Sequence, residues 1–324
     1  MGPTASGKSS LAESLAERMN GELISVDSAL VYRGLDIGAA KPESPHHLMQ
    51  IHDPAEPYNA AEFARDARIC IGDIRARSKQ PILVGGSMLY YRALIHGFHE
   101  LPQSEPVVRA EIESEAASRG WPALHAELLN IDPLAAQRCH PNHSHRILRA
   151  LEVFRISGRP MSDWQSGSPE MDNETYLCVG LCPRDRADLH ARIESRLENM
   201  FARGLVAEVR TLFNRGDLGP HLPAIRAVGY RQIWSHLLGE ISLDESRHQT
   251  LVATRKLAKR QITWLKSWPH LVWLFTDRGG QLTEVRSKEA ALDDILNPPE
   301  KIVSGGAVQA ITELMRNFWM SQGS

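Results

Sequence analysis

Eight residues at the start of the chain, Gly2-Pro3-Thr4-Ala5-Ser6-Gly7-Lys8-Ser9, match the pattern G-x-x-x-x-G-K-[ST] and limit what can follow them. In that pattern the glycines let backbone N–H groups turn inward around an anion, and the next helix adds its positive end. Lys8 supplies a mobile ammonium for terminal phosphates, and Ser9 supplies a hydroxyl for Mg²⁺. The helix is legible, because Leu11, Leu15 and Met19 recur on one face of Ser9–Met19. Such a loop normally follows a buried central strand, and only Met1 precedes it here, so the natural chain is expected to start upstream. The motif specifies a diphosphate or a nucleotide and does not choose between them.

The rest of the first hundred residues alternates short apolar runs with helical spacing. Glu22–Val26 and Pro81–Val84 read as strands, and Ala60–Ile74 reads as a helix. Strands alternating with helices predict an α/β fold, a P-loop NTPase-like parallel sheet flanked by helices. From Pro106 the character changes. Val107–Ser118, Ala123–Leu129 and Arg146–Ile156 read as helices, joined by Gly- and Pro-containing turns, which predicts a helical insertion domain. A strand-like Tyr176–Leu181 is expected to rejoin the sheet, followed by helices near Ala187–Arg203, Leu205–Asn214 and Ser246–Trp268. The expected division is 1–105 and 173–292 for the core, 106–172 for the insertion and 293–324 for a tail. That tail ends in an amphipathic helix with Val308, Ile311, Leu314, Met315, Phe318 and Trp319 on one side, expected to dock on the core.

With 42% apolar residues the chain can bury a sizeable core, and a net charge of −2 confines any nucleic-acid surface to local stripes. Cys70, Cys139, Cys178 and Cys182 are too few and scattered for a disulfide framework, which fits thiols in a reducing compartment. Cys139, His140, His143 and His145 crowd together, but their spacing fits no standard zinc site. No apolar run reaches membrane-spanning length and no charged-then-apolar leader is present, so the expected location is the cytoplasm.

Asp27 ends the first predicted strand, next to the phosphate loop, where it suits a general base or a magnesium contact. As an isolated Asp-Ser it is equally a turn residue. Small-molecule kinases place an acid in the same way, so a P-loop kinase stays open at this point.

Further blocks narrow the choice. Asp27 to Pro42 (DSALVYRGLDIGAAKP), His46-His47-Leu48, Gly85-Gly86-Ser87-Met88-Leu89-Tyr90, Arg149-Ala150-Leu151-Glu152-Val153, Val228-Gly229-Tyr230-Arg231-Gln232 and Lys259 to Leu265 (KRQITWL) occur in this order. They resemble the blocks of the tRNA dimethylallyltransferase (tRNA isopentenyltransferase) family, over about Gly2 to Trp268. Ser9 and Ser87 stand where that family more often has Thr, and His143 and His145 stand where Asp and Gln are expected. The resemblance implies transfer of a dimethylallyl group from dimethylallyl diphosphate to N6 of the adenosine 3′ of the anticodon, with diphosphate leaving and Mg²⁺ as cofactor. By resemblance Asp27 takes the proton, and Lys8, Ser87 and Arg109 contact the leaving group. Taken alone, Ser87 is as readily a helix cap and Arg109 a solvated charge.

Two basic stretches suit RNA phosphates: Arg255 to Lys266 holds five cations and no acid, and Arg138 to Arg159 holds five arginines against one glutamate. By resemblance tRNA meets Asp27, Ser28, Ala29 and Leu30; His145, Arg146, Ile147, Leu148 and Arg149; and Arg226, Ala227, Val228, Gly229, Tyr230 and Arg231. The last such group is Lys259, Arg260, Gln261, Ile262, Thr263, Trp264, Leu265 and Lys266. Tyr230 and Trp264 are expected to stack on unpaired bases. The chain is expected to act as a monomer. The rivals are an isopentenyltransferase acting on free adenylate, a small-molecule kinase, and a non-catalytic RNA-binding protein with a vestigial phosphate loop.

Overall fold

The computed structural model describes residues 1–97, 99, 101–166, 175–286 and 306–322, with side chains to 316 in the last stretch. It forms two compact units, Met1–Leu94 with Glu174–Ser324, and Ile95–Asn173. The stretch 167–174, the boundary at 292 and the Pro-Pro break lie outside the described residues, as do the side chains of Phe318 and Trp319.

In the first unit the chain opens with α1 (Lys8–Met19), β1 (Gly21–Val26), β2 (His46–His47), α2 (Ala60–Ala76), β3 (Gln80–Gly85) and α3 (Met88–Ile95). β1 lies between β2 and β3 and runs parallel to both. Four successive residues of β1 are buried, which requires cover on both faces and explains its unbroken apolar run. α1 supplies part of that cover, Ala12 packing on Leu23 and Val84. Asn20, in the left-handed region at φ 49, ends α1 and turns the chain directly into β1. α2 starts at a capping box in which Asn59 accepts from the Ala61 and Glu62 amides and Glu62 reaches back to the Asn59 amide.

After residue 174 the same unit continues with β4 (Val179–Pro183), α9 (Arg186–Ala202), α10 (Leu205–Phe213), α11 (Tyr230–Leu237), α12 (Leu243–Ser267), β5 (Val272–Thr276) and β6 (Leu282–Arg286). The expected strand exists, two to three residues later than the apolar run suggested. Among the described residues it does not hydrogen-bond to β1 or β3. It pairs in parallel with β5, and β5 pairs antiparallel with β6, giving a second three-stranded sheet. Met1 lies along β4, donating to the Val179 carbonyl and accepting from the Leu181 amide. α1 bridges the sheets, since Leu15 packs with Leu181 and Leu274. The final helix, α13 (Gly306–Gln322), docks Ala310 and Ile311 into that cluster and Leu314 against Val272. Burying Ile311 and Leu314 stabilises this docking by roughly 1.5–3 kcal/mol each.

The second unit is helical: α4 (Pro106–Arg119), α5 (Trp121–Ile131), α6 (Pro133–Gln137), α7 (Ser144–Ser157) and α8 (Met161–Trp164). Ile112, Leu124, Leu128, Ile147, Leu148 and Leu151 form its core. Glu152 is fully buried in α7, accepting from Arg149 at 2.8 Å and from the Ser104 hydroxyl.

One surface network gives a pH signature. Glu22 on β1 is held down to about 2, from an ordinary 4.5, by Arg77 at 2.7 Å, Lys79 at 2.9 Å and His47 at 2.6 Å. Because the folded carboxylate is the stronger acid, its stabilisation is complete above pH 4.5 and disappears as pH falls toward 2. Glu22→Gln should therefore lower the thermal midpoint near neutrality, and the gap to wild type should close on acidification through that window. A gap that is constant with pH would overturn this assignment.

Candidate active site

The site begins with backbone. Ala5 at φ 62 and Gly7 at φ 90 both adopt left-handed conformations, so the loop before α1 curls into a concave anion nest. Gly7 occupies the N-cap of α1 with no side-chain cap, and the first turn carries no acid, which leaves the positive helix end uncompensated. The loop is braced from outside by Arg192 of α9, whose guanidinium lies 3.5 Å from the Ser6 carbonyl and bonds the carbonyls of Asp277 and Arg278.

This loop opens on a cavity of about 560 Å³, within the size range of small-molecule sites. Thr4, Lys8 and Ser9 line it together with Asp27, Ser28, Ala29 and Leu30 from the end of β1. Burial pushes the Lys8 ammonium down to about 8, opposed by the charge of Asp27 and reinforced by Arg196. Lys8 Nζ also donates to the Pro3 carbonyl at 3.3 Å. Asp27 has both roles open to it from sequence. Its Oδ1 accepts from the Ala29 and Leu30 amides at 2.9 and 3.4 Å, forming a turn, and the half-buried carboxylate borders the cavity beside Lys8.

Ser87 follows β3. Its hydroxyl accepts from the Ser28 amide at 3.0 Å and donates to the Ser28 hydroxyl at 3.3 Å, tying the two strand ends together. Its backbone carbonyl opens α3 by accepting from the Tyr90 and Tyr91 amides, while its hydroxyl is drawn across to the end of β1. Glycine is required just before it. A Cβ on Gly85 would stand 1.9 Å from the Val26 carbonyl oxygen.

Arg196 of α9 was not foreseen. It borders the same cavity, and burial lowers its guanidinium while Asp27 raises it. A signal was available: Leu189 and Ile193 are buried in α9, and Arg196 continues their i, i+4, i+7 row, an unusual place for a charge.

The residues read as RNA contacts divide by helix phase. Arg226, Ala227 and Val228 line the cavity, as do Arg260 and Trp264 of α12. Ser28, Arg231, Lys259, Thr263 and Lys266 are exposed, as are His145 and Arg146 in the second unit. Others are turned inward. Tyr230 is fully buried, with its hydroxyl donating to Glu208 at 2.6 Å, and it borders the cavity beside Val228. Leu265 is fully buried, Gly229 is buried, and Ile262 packs on Leu189 and Ile193. Gln261 accepts from the Thr4 amide at 2.8 Å and donates to the Gly86 carbonyl at 2.9 Å, so its amide clamps the phosphate loop to the Ser87 turn. In α7, Ile147 and Leu148 belong to the core, and Arg149 is engaged by Glu152 and the Pro102 carbonyl. Ile262 and Leu265 of α12, like Ile147 and Leu148 of α7, fall on the packed faces of their helices. Arg109 lies on α4, where it donates to Ser104 at 3.4 Å and pairs with Glu113 at 3.6 Å.

Among the described residues no group of three or more His, Cys, Asp or Glu side chains is arranged to hold a metal ion. Among the oxygen donors that line the cavity are the Ser9 hydroxyl and the Asp27 carboxylate, hard ligands of the kind Mg²⁺ takes. No helix among the described residues is long and apolar enough to cross a membrane.

A sequence model of the IPP transferase family matches residues 30–268. The chain belongs to the IPP transferase family. A tRNA dimethylallyltransferase of Bordetella petrii is 52% identical to this IPP transferase over 277 residues, 83% of this chain and 88% of the relative. The full-length tRNA isopentenylpyrophosphate transferase of Bacillus halodurans superposes with a TM-score of 0.64 at 32% identity, covering 99% of this chain and 97% of that one. A eukaryotic dimethylallyltransferase acting on tRNA gives a TM-score of 0.68 at 26% identity, covering 84% of this chain and 72% of that one. The mixed α/β fold, with its parallel sheet flanked by helices, is thus the fold of solved IPP transferases, and the chain is a prenyltransferase.

Proposed function

We propose that this IPP transferase moves a dimethylallyl group from dimethylallyl diphosphate to N6 of the adenosine 3′ of the anticodon in tRNA, releasing diphosphate. One observation carries the reading: Lys8, Ser9 and Asp27 line a single cavity in which the charge of Asp27 acts on Lys8. The names of the relatives supply the donor and the acceptor classes. As the allylic C–O bond breaks, negative charge grows on the diphosphate. The head of α1, Lys8 and Arg196 offset it, an electrostatic contribution that is commonly the largest single one. When bound by Ser9, Mg²⁺ supplies further positive charge to the leaving oxygens. As the C–N bond forms, the exocyclic amine loses its proton, and Asp27 is the carboxylate at hand to accept it. Ser87 is proposed to contact the diphosphate as well. The exposed cations Arg226, Arg231, Lys259, Arg260 and Lys266 are proposed to hold the tRNA backbone, with Trp264 at the cavity wall for the extruded base.

The test offers the protein Mg²⁺ and labelled dimethylallyl diphosphate with unmodified tRNA or with AMP. Label should enter tRNA at the adenosine 3′ of the anticodon. Label in AMP, phosphate transfer from ATP, or binding without transfer would each overturn the reading in favour of a different one.

A further inference from the structure

We infer that Glu208 is a positioning residue that shapes the acceptor side of the cavity. The inference rests on the reading of the cavity as a prenyl-transfer site. Glu208 lies on α10, and four donors converge on its carboxylate. Oε2 accepts from the amides of Asp36 at 3.2 Å and Ile37 at 2.6 Å, and Oε1 accepts from the Gly38 amide at 3.0 Å and the Tyr230 hydroxyl at 2.6 Å. Three successive backbone amides on one carboxylate fix a segment as firmly as a cap fixes a helix. An amide in the same place would turn N–H groups toward donors, so the charge type is specified as well as the shape.

The segment so held is a wall of the site. Gly38, Ala39 and Ala40 border the cavity together with Ala227 and Val228. Gly38 lies on the Tyr230 ring so closely that a Cβ there would come within 2.6 Å of it, and within 2.8 Å of Leu205. Burial and the neighbouring Glu208 keep the Tyr230 phenol protonated, hence a donor. Glu208 therefore fastens two walls together: the 36–40 segment and the start of α11. At the cavity the first wall presents Gly38, Ala39 and Ala40, and the second presents Ala227, Val228 and Tyr230. Lys8, Ser9 and Asp27 are not among the groups Glu208 bonds, which separates its influence from the bond-breaking end. A core-face signal existed here also, since Glu208 sits among Leu205, Val209 and Leu212, the buried row of α10.

The experiment measures kcat and the two KM values for wild type, Glu208→Gln, Tyr230→Phe and the double variant, with thermal midpoints alongside. Glu208→Gln should raise KM for tRNA at least about tenfold, the order expected when hydrogen bonds to a charged group are lost. Its kcat and its KM for dimethylallyl diphosphate should stay within about threefold of wild type, because the groups at the phosphate end are untouched. Tyr230→Phe removes one donor of four and should raise the same KM less. The double variant should be no worse than Glu208→Gln alone, because both act through one network. A fall in kcat with both KM values unchanged, or unchanged kinetics throughout, would overturn the role and leave the prenyl-transfer reading intact. If Glu208→Gln does not fold, Tyr230→Phe carries the same test. Absence of transfer to tRNA by the wild-type protein would remove the parent reading, and this one with it.

Discussion

Asp27→Asn is expected to lower kcat by about 10²–10⁴-fold, the usual worth of a positioned general base, while tRNA affinity changes by less than about threefold. The asparagine is the informative substitution. Its side-chain oxygen can still accept from the Ala29 and Leu30 amides, so the turn that Asp27 makes is kept and only the proton acceptor is lost. Asp27→Ala should abolish transfer too, but it also releases the turn that lines the cavity. Single-turnover transfer and equilibrium tRNA binding, measured on the same preparations, separate the two effects. Turnover of Asp27→Asn near that of wild type would show that the amine proton leaves by another route.

Gln261→Leu is the second substitution with a large expected effect, and it divides two readings of one residue. The resemblance places Gln261 in a tRNA-contacting block, whereas its amide joins the Thr4 amide to the Gly86 carbonyl. Leucine preserves the volume and strands both backbone groups. The buried Gly86 carbonyl costs about 1–3 kcal/mol when left unsatisfied, while the Thr4 amide at the cavity can turn to water, so the expected loss of stability is about 1–3 kcal/mol. Where the variant still folds, KM for dimethylallyl diphosphate should rise at least about tenfold through the displaced loop, with tRNA binding little changed. Calorimetry with diphosphate and filter binding with tRNA decide the matter. Undiminished stability and diphosphate affinity together with lost tRNA binding would restore the contact reading.

The phosphate loop was legible because all its information is contiguous: two glycines, a lysine and a serine at fixed spacing, then a helix. Asp27 was legible because strand ends in such sheets converge on the loop. What the sequence hid was helix phase. A block resemblance carries residue identities but not the direction each side chain takes; Tyr230, Leu265, Ile147 and Leu148 sit in blocks that the resemblance gives to RNA, and all four are buried. The phase of α12 is legible in part: Leu265 recurs with Ala258 and Gln261 on the buried face, Arg260 and Trp264 recur with Leu257 at the cavity, and Gln261 borders both. Arg196 and Glu208 escaped for the complementary reason, since charges on apolar rows are easily taken for solvated ones. The partner of β4 was beyond local pattern altogether. Strand pairing depends on contacts far apart along the chain, and an apolar run does not say which neighbour it will choose.

The docking of α13 on the cluster that holds Leu15 has a thermodynamic corollary. An anion held at the head of α1 and a helix packed along its flank stabilise the same element, so each makes the other harder to loosen. Occupancy of the phosphate loop is thereby felt at α13. The reciprocity follows from shared packing alone, with no change of shape required.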